Sequence, residues 1–241
     1  MKRTGLMAAA IVVHIAWILA LRGSGLEPHD APVLRVVLIY GPGLVTAGAA
    51  LVIALRAGLF TPAELGLHMP AWTMRRGRGC AALLLFAIFL AGMLIDIAGP
   101  IGTMTANGMS YEEIVAHLLR HEYWYTFGRS EPPPPAWAIG IQAVTSILAP
   151  LSEEVPYRGL LVPVVVSRLS RNSAALASGA VFFLVHWLAF GGAPHPAYFL
   201  HGWAFAWVFL LAGLPGSIAA HAGVCFGVLA LATFAGFAGV Q

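Results

Sequence analysis

Charge is the first thing this sequence lacks. Only 10% of its 241 residues are Asp, Glu, Lys or Arg, against 59% hydrophobic. A soluble domain carries about 25% charged residues and needs them to cover its surface. With so few, the chain would present apolar surface to water over most of its area. A cytosolic globule, a disordered chain and a nucleic-acid binder are therefore excluded. The net charge of +3 comes from 13 basic residues spread along the chain, which build no phosphate-binding patch. Cysteine is scarce too. Cys80 and Cys225 lie far apart in apolar stretches, so neither a disulfide framework nor a CxxC metal pair can be built. There is no internal repeat, no low-complexity tail and no HExxH, which excludes an ordinary zincin at motif level. The alternating stretches of ~10 residues that mark a transmembrane barrel are missing as well.

What is present is a series of long apolar blocks, with a mean hydropathy of +0.83. Every backbone polar group in a bilayer core must be satisfied within its own segment, so the expected fold is an all-α polytopic membrane bundle of about 7–8 transmembrane helices. A ruler of about 20 apolar residues gives seven spans: 5–21, 36–55, 80–99, 136–166 with interruptions, 173–190, 197–211 and 217–240. The first follows Met1-Lys2-Arg3 and is longer than a signal-peptide core, with no good small-x-small cleavage site after it, so it reads as a signal anchor. Lysines and arginines set orientation. With the N-terminus in the cytoplasm, Lys2, Arg3, Arg56, Arg75, Arg76, Arg78, Arg168 and Arg171 fall inside, against Arg22, Arg35, Arg120 and Arg129 outside. A multi-pass protein of a bacterial inner membrane is expected, with lipid as its first partner.

Two loops stand out. Thr61 to Gly79 is polar and turn-rich, with Trp72 and three arginines suited to a headgroup boundary. Residues 100–135 form the longest loop; within it Ser110 to Tyr125 reads as an interfacial helix opened by a Ser110/Glu113 capping box. Tyr123, Trp124 and Tyr125 suit an aromatic belt, and Pro132 to Pro135 a stiff spacer.

An ionised side chain at the membrane centre costs roughly 2.5–3.5 kcal/mol or more, so each one inside a span is a functional candidate. These are His14, Asp96, Glu153, Glu154, Arg158, His186, His201 and His221. Glu154 and Arg158 are four apart and share a helix face, where they can pair. Glu153 projects about 100° away, free to face a cavity or a second partner. It sits beside charge in a low-dielectric site, a setting that suits a general base. The bland alternative is an ion pair that merely joins two helices. His186 and His221 are each plausible core hydrogen-bonding residues; together with a carboxylate pair they could polarise water and stabilise an oxyanion. Glu113, His117 and His121 recur at ligand spacing but read as a solvated face. His201 reads as a helix–helix hydrogen bond, and Asp96 either snorkels or caps, or joins the polar network.

In order and spacing, Glu153-Glu154-x-x-x-Arg158, Phe182-x-x-x-His186 and His221-x-x-x-Cys225 resemble the three motifs of the CPBP family. These are the CAAX-type-II prenyl endopeptidases and the related bacteriocin-processing membrane proteases. The resemblance covers roughly residues 137–230, and its most specific stretch runs from Ala149 to Leu161. On this reading residues 1–130 supply N-terminal helices and an interfacial loop, and 137–241 the catalytic helical core, within a single membrane domain. The resemblance implies an intramembrane endopeptidase acting on a peptide or protein with a membrane-proximal cleavage site. Glu153 would be the general base, with His186 holding the water and Glu154 and Arg158 forming the supporting charge network. His221 and the residue four later would donate to the oxyanion. The family usually has Asn where this chain has Cys225, and a thiol is a weaker donor than an amide. The alternative that Cys225 is itself a nucleophile is disfavoured by its apolar setting. No cofactor is favoured. The family has long been described as metalloproteases, and Glu153, His186 and His221 would be the zinc set under that mechanism. Two other classes use buried Glu, His and Arg: an ion- or proton-coupled carrier, and a catalytically inactive immunity or scaffold protein.

Overall fold

In the computed structural model, residues 2–24, 32–69, 71–114, 116, 117, 136–190 and 196–237 are described. They form helices α1 (Arg3–Gly23), α2 (Pro32–Arg56), a short α3 (Ala71–Met74), α4 (Arg78–Ala106) and α5 (Ala136–Glu154). A π-helical segment (Val155–Leu160) follows, then α6 (Leu161–Val166), α7 (Arg171–Phe190) and α8 (Ala197–Phe237). The all-helical membrane fold expected from composition is borne out. Five helices are long and apolar enough to cross a membrane: α1, α2, α4, α7 and α8. α5, the π segment and α6 together form an interrupted helix over the 136–166 stretch where an interrupted span was expected.

α8 runs on where two spans were expected, but it is not straight. The Phe205 and His221 rings stack with centroids 4.7 Å apart. Sixteen residues of straight helix would separate them by about 24 Å. The chain therefore folds back on itself, and the reversal is at Gly213, whose φ of 73° and ψ of −172° leave the helical region. Left-handed φ is costly for any residue with a Cβ. A Cβ here would also lie 2.6 Å from the Gly66 carbonyl oxygen. The loop after α2 seals the break, since the Leu214 N–H donates to that same carbonyl at 2.8 Å. The two arms of α8 coincide in sequence with the expected sixth and seventh spans.

Close helix approach depends on small residues, as in other membrane bundles. A Cβ on Gly223 would fall on the Phe89 carbonyl, and one on Gly92 on the Ala220 carbonyl, so α4 lies backbone to backbone against the second arm of α8. Gly179 and Gly202 bring α7 onto the first arm in the same way. The interruption after α5 has a local cause. Pro156 has no N–H to continue the α ladder, and the Leu161 N–H reaches back five residues to the Pro156 carbonyl. All six residues of the π segment are buried.

α1 is tied in at several levels. Arg3 forms a bidentate pair with Glu64, at 2.7 and 3.2 Å, and Arg168 reaches Thr4 at 3.4 Å. Trp17 donates to the Leu38 carbonyl at 2.7 Å, and Arg22 to the Leu188 carbonyl at 3.0 Å. Residues 3, 4, 64 and 168 therefore share one end of the bundle. The Thr61 N–H on its carboxylate, and then Arg3, hold Glu64 below the ordinary carboxylate range. The expected capping box exists: the Ser110 N–H donates to Glu113 at 2.8 Å and the Glu113 N–H to Ser110 Oγ at 3.3 Å. The Ser110 N–H lowers Glu113 in the same manner. Residues 111–114, 116 and 117 are helical, and residue 115 and residues 118–135, with His121, the aromatic triplet and the proline run, lie outside the described residues.

Candidate active site

α5 and the π segment, α7 and both arms of α8 converge on one buried polar cluster. Glu154, the last residue of α5, is fully buried and accepts from three donors. Arg158 Nη1 donates to its Oε1 at 2.7 Å. His221 contacts the same oxygen through Nδ1 at 2.8 Å, and Ser217 Oγ donates to Oε2. A carboxylate only accepts, so the His221 Nδ1 carries the proton in this contact. The ring is also hydrogen-bonded to the Cys225 side chain, one turn further along the same arm.

Arg158 is as deeply buried as its partner. Its Nη2 donates to the Gly202 carbonyl at 3.3 Å. The guanidinium carbon lies 4.6 Å from the Phe182 ring centroid and 5.2 Å from that of Phe205, so aromatic faces cover the charge on both sides. The expected pairing of Glu154 with Arg158 is realised as one buried network that links α5, the π segment and both arms of α8.

Glu153 differs from its neighbour. It is partly accessible, and its Oε2 is buried without a protein partner. The charges of His221, Glu154 and Arg158 all reach it. Of the two adjacent carboxylates, one is saturated with donors and the other keeps an oxygen uncommitted.

His186 lies in the same aromatic cluster, with its ring 4.1 Å from Phe182 and stacked at 4.3 Å on Tyr198. Its Nδ1 lies 2.8 Å from the Phe182 carbonyl. A carbonyl cannot donate, so Nδ1 holds the hydrogen in this contact. Phe182 also meets His221 edge-on at 5.6 Å, joining the two histidines through one ring. The Cys225 side chain is among the groups that face His221. Its backbone carbonyl accepts from Ser146 Oγ of α5 at 3.1 Å.

The remaining candidates are dispersed. Asp96 lies against Gly227, where a Cβ would come within 2.7 Å of its Oδ2. His201 stacks on Phe205 at 5.9 Å. Glu113 serves its capping box and His117 is exposed. Among the described residues no group of three His, Cys, Asp or Glu side chains is arranged to hold a metal ion. Glu153, His186 and His221, the set a zinc ion would take, are not gathered in that way.

Sequence reasoning missed Ser217 and Tyr157 and left His14 without a partner. Ser217 had a signal: it lies one turn before His221, on the same helix face. Tyr157, fully buried beside Arg158, packs against His14 of α1 with centroids 5.5 Å apart. The first helix therefore packs against the polar cluster through His14.

No curated protein and no solved structure matches the chain. The family resemblance read from the motifs is borne out at domain level: residues 135–227, which carry Glu153, Glu154, Arg158, His186, His221 and Cys225, match the family model of the type II CAAX prenyl endopeptidases, Rce1-like.

Proposed function

We propose that the protein is an integral membrane endopeptidase that hydrolyses a peptide bond near the membrane boundary, with Glu153 as the general base. The observation that carries this reading is the asymmetry of the two carboxylates. Glu154 accepts from Arg158, His221 and Ser217, whereas Glu153 Oε2 has no protein partner in a buried setting. A fully hydrogen-bonded carboxylate is a poor proton acceptor; an under-bonded one in low dielectric is a good one.

In the proposed reaction His186 Nε2 accepts a hydrogen bond from the attacking water and Glu153 takes the proton. As the carbonyl oxygen gains charge, Nε2–H of His221, protonated on both nitrogens, donates to it. Glu154 fixes the orientation of that ring much as a carboxylate does in a catalytic triad. Two carboxylates, a guanidinium and an imidazolium sum to zero, so the cluster is electrically neutral during the step. Cys225, at the usual Asn position, is a weak second donor. The breakdown of the tetrahedral intermediate returns the proton from Glu153 to the leaving amine. The route is metal-free, and the substrate class is a peptide whose scissile bond lies close to a membrane anchor, as a prenylated CAAX end would provide.

The test uses the full chain in lipid with a quenched prenylated CAAX reporter peptide. Glu153→Ala and His186→Ala are each expected to lose cleavage, by roughly 100-fold or more for the base, while unfolding at the wild-type temperature. Wild-type cleavage is expected to survive a strong zinc chelator. Unchanged cleavage in both variants would overturn the assignment, and loss of activity on chelation would overturn the metal-free route.

A further inference from the structure

We infer that His14, on α1 and outside the family-matched segment, is a positioning residue: with the Tyr157 hydroxyl it holds a buried water against Oε2 of Glu153. The inference deepens the proposed function and rests on it for the role of Glu153.

Four buried polar atoms in the described residues lack a protein partner: His14 Nδ1, Glu153 Oε2, Tyr157 Oη and Arg158 Nε. Of the first three, His14 and Tyr157 are in ring contact, and Glu153 lies one turn before Tyr157. The His14 and Tyr157 rings meet edge to face at 5.5 Å, and Tyr157 lies within reach of the Glu153 charge. His14 also approaches the chain neighbour of Glu153. A Cβ on Gly43 of α2 would touch both Ser152, at 3.0 Å, and His14 Cε1, at 3.5 Å. Glu153 and Tyr157 are four residues apart where α5 passes into the π segment, so their side chains leave the helix on one side. His14 is 8% exposed and Tyr157 not at all.

A polar group buried without a partner costs about 1–3 kcal/mol, and three of them unanswered would be a heavy burden on the fold. Buried waters commonly answer this need, each making about three hydrogen bonds. The donor inventory closes around one such water. Tyr157 Oη–H donates to it, and it donates to Glu153 Oε2 and to the lone pair of His14 Nδ1. The Glu153 carboxylate is thereby fixed through Oε2, which orients its other oxygen toward the attacking water. His14 acts through this bound water and does not touch the substrate.

The experiment uses the full chain in lipid bilayers with 15N-labelled histidine and solid-state NMR, magnetisation being transferred from water protons. The His14 signal is assigned by its loss in His14→Phe, which keeps a ring against Tyr157. Transfer to His14 Nδ1 is expected in the wild type and is expected to be lost in Tyr157→Phe and Glu153→Gln. Absence of transfer in the wild type, or undiminished transfer in both variants, overturns the inference. With the reporter peptide, kcat is expected to fall by up to about 100-fold in His14→Phe, with KM unchanged. It should recover in His14→Asn, whose side-chain amide lies near the position of Nδ1. Wild-type kcat in His14→Phe overturns the positioning role. The two readings fail separately: an active Glu153→Gln enzyme refutes the general base and leaves the water contact standing, and the converse holds for a dry His14.

Discussion

Glu153 and Glu154 are adjacent in the chain and chemically alike, so their difference comes from direction alone. A turn of about 100° separates them: one meets Arg158, Ser217 and His221, the other the Tyr157 side of the helix. Arg158 is the group on which the saturated half depends, because it closes the ion pair, bonds the Gly202 carbonyl and fills the gap between Phe182 and Phe205. Lysine cannot reproduce a planar fork between two rings. Arg158→Lys is therefore expected to lower the unfolding temperature in detergent, and Arg158→Ala to cost about 3–5 kcal/mol by leaving Glu154 as an uncompensated buried charge. An Arg158→Ala protein as stable as the wild type would contradict this role. The Glu154–Arg158 pair was legible from a spacing of four. Tyr157 was not, because a phenol inside an apolar run looks like any other aromatic core residue until its partner is located, and Ser217 had only its place one turn before His221 to mark it.

Two breaks in helical structure bring the site together. At the π segment Pro156 withholds an N–H, and the wider turn lets Glu153, Tyr157 and Arg158 enter the bundle together. At Gly213 the chain reverses, so that residues 202 and 205 of one arm face residues 217 and 221 of the other across a single cluster. Apolar run length located both arms, since a bilayer sets the ruler. It gave no hint that the loop at Gly66 caps the turn, because that bond uses backbone atoms that no residue type announces. Gly213→Ala places a Cβ at positive φ and against the Gly66 carbonyl. It is expected to destabilise the fold by about 1–3 kcal/mol and to weaken cleavage by loosening the His221 arm. Wild-type stability in Gly213→Ala would show that the reversal tolerates a side chain and would refute the proposed strain.

For the whole molecule, scarcity of charge identified the solvent and then the site, since few ionisable groups lie within the spans and several of them meet in one buried cluster. The motif-bearing half was legible because the reaction chemistry demands particular residues at fixed spacing. The contribution of α1 was not, since a single histidine on an anchor-like helix carries no pattern of its own. The central claim is that the two carboxylates divide the work, Glu154 holding the fold and Glu153 moving the proton. The rate of reporter cleavage by folded Glu153→Gln protein in lipid, set beside that of Glu154→Gln, tests it most directly. The account predicts a Glu153→Gln protein with wild-type unfolding temperature and cleavage reduced roughly 100-fold or more, and a Glu154→Gln protein that loses stability first. Wild-type cleavage by Glu153→Gln would contradict it.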